Sequence, residues 1–131
     1  MKLMRSALIL VLALLTLATC SHPAALPSGE WRLESLNGNP LVEETQITLV
    51  FQDEQAGGSA GCNAYGSEVE ASGEKIEFKD ITMTLMACTD AGVMAQESSY
   101  LAALGAVDTF QVEQGKLVLS GLGVALGYLH E

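Results

Sequence analysis

The sequence predicts a β-rich fold of seven or eight short antiparallel strands, a barrel or a sandwich, with a single α-helix. Three observations carry this. From Glu30 onward apolar and polar residues alternate in short runs, the period of two that marks half-buried strands. Turn signals, several containing glycine, separate the runs. One segment, TDAGVMAQESSYLAALGAV, instead repeats its apolar residues at helical spacing.

In chain order, Trp31 and Leu33 alternate before the turn-like Asn37-Gly38-Asn39-Pro40. Ile47, Leu49 and Phe51 alternate up to Asp53-Glu54-Gln55. Gly57 to Gly61 is a glycine-rich strand, bulge or tight barrel corner, and Asn63-Ala64-Tyr65-Gly66 continues as a turn. Ser72-Gly73 turns the chain into Ile76 and Phe78, and a strand is expected to end at Cys88. Asp90 is placed to cap the helix and Gly105 to terminate it. Val93, Met94, Tyr100, Leu101 and Leu104 then share an apolar stripe that packs on the sheet or closes a barrel end. A stripe of this composition is core rather than a cofactor site. Phe110 and Val112, Leu117 and Leu119, and Leu126 and Tyr128 complete the pattern, joined by Gln114-Gly115 and Ser120-Gly121-Leu122-Gly123.

The chain opens with MKLMRSALILVLALLTLATC. Lys2 and Arg5 form a positive n-region, and the apolar run from Ala7 to Leu15 suits a secretory signal while falling short of the roughly 20 residues that span a bilayer. Leu17-Ala18-Thr19-Cys20 resembles the bacterial lipobox, which implies a diacylated Cys20 as the mature N-terminus. An ordinary signal peptide cut near Ala18 or Ala25 is the alternative. Ser21, being other than Asp, favours the outer membrane by resemblance to enteric-type sorting signals. The expected organisation is a signal peptide over 1–19, a lipidated cysteine and tether over 20–28, and one domain over 29–131. The mature chain, Cys20 to Glu131, keeps four basic residues against sixteen acidic ones, a net charge of −12 once Lys2 and Arg5 are removed. Such a surface repels phosphate backbones, so nucleic acid is not an expected partner. The expected partners are the membrane, through the lipid, and an envelope protein.

Gly57-Gly58-Ser59-Ala60-Gly61 matches the G-x-S-x-G pattern of a nucleophile elbow, but that elbow requires a helix directly after the serine. The two histidines, His22 and His130, stand at the tether and the C-terminus, leaving Ser59 without an evident base. Cys62 and Cys88 lack the pairing and histidine spacing of a zinc site. Glu68, Glu70, Glu74 and Glu77 flank a turn and form a solvated acidic face, without EF-hand spacing. No metal, cofactor or catalytic residue is therefore expected. Once Cys20 is lipidated, Cys62 and Cys88 are the remaining thiols, and an even pair outside the cytoplasm favours a disulfide. Two buried reduced thiols are the alternative.

Several segments, taken in order, resemble the META domain, the HslJ-like heat-shock family. They are Trp31-x-Leu33 with Asn37-Gly38, Ile47 to Phe51, Gly61-Cys62-Asn63-x-Tyr65, and Thr84-Leu85-Met86-Ala87-Cys88. Met94, Glu97, Tyr100-Leu101, Leu104 and Leu117-x-Leu119 follow at matching intervals. The resemblance covers residues 28 to 131. It implies a small antiparallel β-barrel-like domain with one helix, an envelope location, and association with stress responses, heat induction and novobiocin tolerance. No catalytic residues are established in the family, so none is carried over. A non-enzymatic, lipid-anchored protein acting through contact with another envelope component is the expectation. A small-ligand-binding barrel is the first rival and a Ser59-dependent hydrolase the second.

Overall fold

The computed structural model describes residues 25–131. Cys20, with the leader and most of the tether, lies outside the described residues. The elements are β1 (Glu30–Leu36), β2 (Asn39–Pro40), β3 (Thr48–Gln52), β4 (Gln55–Ser59), β5 (Ala64–Ser72), β6 (Lys75–Met83), α1 (Ala91–Leu104), β7 (Thr109–Glu113), β8 (Lys116–Gly121) and β9 (Val124–His130). The nine strands form one sheet in the order β2-β1-β3-β4-β5-β6-β7-β8-β9, and β1 also pairs with β9. Every pairing is antiparallel. The two-residue β2 only extends the edge of β1 at Ser35 and Leu36, so the closed ring is an eight-stranded barrel. Closure leaves no long unpaired edge, which suits a domain of this size.

The alternation sets what faces inward. Trp31, Leu33, Leu49, Phe51, Ile76, Phe78, Phe110, Leu117, Leu119, Leu126 and Tyr128 are all buried, as the period of two predicts. Val112 departs from it: it pairs with Leu117 of β8, but β6 pairs with β7 only at Thr109, and this side chain is exposed. Two further expectations need correcting. Ala64 to Gly66 is the start of strand β5 and not a turn, its Tyr65 and Val69 alternating inward. The last strand before the helix stops at Met83, so Cys88 lies in the following loop and not at a strand end. Of the readings open for the glycine-rich segment, the strand holds for Gly57 to Ser59, which lie in β4. A Cβ at Gly58 would collide with the Thr48 carbonyl, so only glycine lets β3 and β4 approach there.

The helix crosses one mouth of the barrel. Asp90 caps it, its carboxylate accepting from Gly92 N at 2.7 Å and Val93 N at 3.2 Å, and it ends at Gly105. Its buried residues are Gln96, Glu97, Tyr100, Ala103 and Leu104, while Val93, Met94 and Leu101 are only half-buried. The expected apolar stripe is thus rotated, and two polar side chains take positions within it. Gln96 accepts from Val42 N at 2.6 Å and donates to Thr45 Oγ1 at 2.9 Å, tying α1 to the β2–β3 connection.

Beneath the helix, side chains fill the barrel. The chain's three tyrosines all meet there. The Tyr65 hydroxyl donates to the Thr48 carbonyl at 2.9 Å, and the Tyr65 and Tyr100 hydroxyls are 2.7 Å apart. Tyr100 and Tyr128 are 3.1 Å apart. With one proton per phenol the chain of donation runs Tyr128 to Tyr100 to Tyr65 to Thr48, and no buried hydroxyl is left without an acceptor. Burial first, and the closeness of the phenols second, push all three well above their ordinary value of 10.0.

Tyr100→Phe should lower stability by about 1–3 kcal/mol, the range for stranding a buried partner, because Tyr128 then loses its acceptor. Denaturant titration checks this. An unchanged midpoint would show that the phenol chain contributes nothing.

Candidate functional site

The residues of the G-C-N-x-Y and T-x-M-A-C stretches come together at the mouth that the helix covers. Strands β4 and β5 are joined by Ala60 to Asn63, closed by Ala60 N donating to the Asn63 carbonyl at 2.7 Å. Gly61 sits at φ 112°, a conformation that other residues rarely adopt, and this turns the following N–H groups toward the helix. There Glu97 accepts all that they offer. Its Oε2 receives Cys62 N at 3.1 Å and Asn63 N at 2.6 Å, and its Oε1 receives Asn63 Nδ2 at 2.6 Å.

Asn63 uses its full hydrogen-bonding capacity. Besides Glu97, Nδ2 donates to the Met86 carbonyl at 3.2 Å, and Oδ1 accepts from Met86 N at 2.7 Å and Thr84 Oγ1 at 2.9 Å. The side-chain amide thus pairs with the Met86 backbone as a neighbouring strand would. Thr84 Oγ1 in turn accepts from Ala64 N at 3.2 Å. The Cys62–Cys88 disulfide, with Cα atoms 6.1 Å apart, closes the other side of the loop. The pairing expected from the cysteine count is therefore present.

Glu97 and Asn63 are each 1% exposed. Among the described residues no cation pairs with Glu97; the ion pairs there are Arg32–Glu131 and Lys79 with Glu70 and Glu77, all at the surface. Desolvation pushes the Glu97 carboxyl up, but the bonds from the Asn63 side chain, Asn63 N and Cys62 N together outweigh it and hold the carboxyl below its ordinary value of 4.5. A carboxylate with its acceptor sites turned to fixed N–H groups is a clamp rather than a proton acceptor for a substrate.

Of the motif residues, Gly61, Cys62, Asn63, Thr84, Met86, Cys88 and Glu97 belong to this one network. Tyr65 joins the phenol chain below it, and Ala87 is exposed on the loop. Leu85, at the loop's tip, is 90% exposed and Met86 57%. Sequence reasoning missed Gln96 as an anchor of the mouth; the signal for it was the polar Gln96-Glu97 pair within an apolar helix. Ser59 lies on β4, not on a strand–turn–helix elbow. Its hydroxyl donates to the Gln46 carbonyl at 3.2 Å and accepts Gly61 N at 3.2 Å. Glu68, Glu70, Glu74 and Glu77 are exposed, as expected of a solvated face. Among the described residues no three His, Cys, Asp or Glu side chains converge as a metal site would require.

A family model described as META domain matches residues 24–129. One solved NMR structure shares 24% sequence identity at a TM-score of 0.64, covering 80% of this chain and 91% of that one. A second NMR structure, of a protein from Burkholderia xenovorans, shares 22% identity at a TM-score of 0.66, covering 86% of this chain and 96% of that one. Both share the fold. No curated protein matches the chain.

Glu97→Gln should cost roughly 1–3 kcal/mol near neutral pH, because its NH₂ would face the N–H groups that the carboxylate accepts. The folded carboxyl lies below its ordinary 4.5, so its contribution is complete above that value and is lost as pH falls through the folded pKa. Melting measured from neutral pH down past 4 should therefore show a shallower decline for the variant than for wild type. Parallel curves would exclude the clamp.

Closing a loop of sequence separation 26 should contribute roughly 3–4 kcal/mol by the chain-entropy estimate. Cys62→Ser and Cys88→Ser should lower the melting temperature by similar amounts, and the double variant no further. Thiol titration of denatured, unreduced protein should find neither cysteine free.

Proposed function

The chain belongs to the META domain family, and from that premise we propose that it is a lipid-anchored protein of the bacterial envelope. It works without catalysis, through contact with another envelope component, in stress or drug tolerance of the novobiocin type. The leader ending in Leu17-Ala18-Thr19-Cys20 supports the anchor, and Ser21 supports the outer membrane. The family resemblance supports the association with stress.

The observation that carries the contact reading is the loop between β6 and α1. It holds Leu85 and Met86 in water, yet the disulfide, Asn63 and Thr84 fix its backbone. A rigid loop presenting apolar side chains loses little entropy when a partner covers it. Strand direction places this loop at the end of the barrel opposite Glu30, where the chain enters from the tether. An anchored domain would then hold the loop away from its own membrane.

The rivals fit less well. Leu33, Leu49, Tyr100, Leu117, Leu119 and Tyr128 fill the barrel, so an internal ligand chamber finds no room. The Ser59 hydroxyl is engaged with the Gln46 carbonyl, and the one histidine among the described residues, His130, is packed on Trp31.

Affinity capture from envelopes of cells fed a labelled fatty acid tests both parts. Wild type should carry label and bring a component with it. Cys20→Ala should carry none, and Leu85→Asp should keep the label while losing the component. Label on Cys20→Ala would end the lipoprotein reading, and undiminished capture by Leu85→Asp would end the loop's role.

A further inference from the structure

The barrel wall is weakest between β6 and β7, which share a single pairing of Lys75 with Thr109. The segment from Gly105 to Asp108 lies against this seam, Gly105 beside Ile81 and the Asp108 carbonyl accepting Ile76 N at 3.1 Å. Next to it opens a cleft of about 900 Å³, within the range of small-molecule sites, about 300–1,000 Å³. Its floor is apolar: Leu26 and Ala71, half-buried against the core, lie over Val69, Ile76 and Val107, which are themselves buried.

Its rim is acidic. Asp53 and Glu54 project from the β3–β4 turn and Asp108 from the segment after the helix. Glu70 and Glu77 also line it, but both are engaged with Lys79, at 2.7 Å and 3.7 Å. Asp53, Glu54 and Asp108 form no ion pair among the described residues, and Lys75 is the one cation of the lining. An anion would meet this rim and a chain of net charge −10, and a neutral ligand would leave the rim unused.

We propose that the cleft binds a small amphiphilic cation, an aryl or alkyl body carrying an ammonium group. The body lies on Leu26 and Ala71, above Val69, Ile76 and Val107, and the ammonium faces the acidic rim to which Asp53, Glu54 and Asp108 contribute. This site is separate from the Leu85–Met86 loop and requires neither the lipid nor a protein partner, so it stands or falls apart from the reading above.

The test is an NMR titration of the protein as isolated from cells, at low ionic strength. Naphthylmethylamine is the probe, and naphthylacetate supplies the same body with the opposite charge. The amine should give saturable shifts at Val69, Ile76 and Val107 that weaken as salt is added, and the acid should give none. Asp53→Asn and Asp108→Asn each remove one exposed charge and should weaken the amine about two- to five-fold. Asn tolerates the left-handed backbone of Asp53, at φ 55°, so the turn survives that change. Leu26→Ser should weaken it as well, by removing part of the floor without touching a strand. Acid binding as tight as the amine, saturable shifts confined to another surface, no saturable shift at all, or affinities unchanged in all three variants would overturn the proposal.

Discussion

A carboxylate withdrawn from water and facing no cation keeps its charge only if N–H groups replace the lost solvent. Glu97 receives three, two from the backbone at Cys62 and Asn63 and one from the Asn63 side chain. Charged acceptors strengthen such bonds, and the low dielectric around them strengthens them further. The same setting makes each bond costly to lose, so the geometry of the mouth is tightly specified. The Gly61 turn, the position of α1 and the course of the loop after Met83 all follow from the need to satisfy this one group.

The rest of the barrel is arranged around that constraint. One turn of helix beyond Glu97, Tyr100 dips into the core and meets Tyr65 and Tyr128. Tyr65 lies two residues beyond Asn63, so the strand that begins in the clamp continues into the phenol chain. The Thr48 carbonyl ends that chain, and it is the oxygen against which Gly58 fits. The helix is therefore held to the barrel by polar bonds from Gln96, Glu97 and Tyr100 and by packing at Ala103 and Leu104. Its end opposite the clamp is where β6 and β7 part and the apolar cleft opens. A helix inserted across one mouth fixes that end and leaves the seam beside its exit loosely joined.

This division has a consequence for function. The loop carrying Leu85 and Met86 is exposed but covalently and polarly fixed, which suits recognition by a protein surface. The cleft is half-open and edged with unpaired carboxylates, which suits a small cation. The two lie on different parts of the domain and make different chemical demands.

Most of the strands and the helix were legible in the sequence by itself, and the cysteine count favoured a disulfide. Alternation at Trp31 and Leu33 or Leu117 and Leu119 is a local pattern, as are the cap at Asp90 and the turns at Gly73 and Gly115. With Cys20 set aside, Cys62 and Cys88 form an even pair, which favours joining them. Glycine spacing left β4 open between strand, bulge and corner, because Gly57 and Gly58 carry no side chain to show a period of two. A single glycine and alanine beside Tyr65 gave the start of β5 the look of a turn. The polar bonds of the mouth were decided by tertiary structure alone. Glu97 and Asn63 are separated by 34 positions, and Tyr65 and Tyr100 by 35. Bonds over such distances leave no periodic trace in either segment, since each partner's burial depends on how the helix lies across the barrel. The cleft was equally illegible, because it opens beside the seam where β6 and β7 share one pairing.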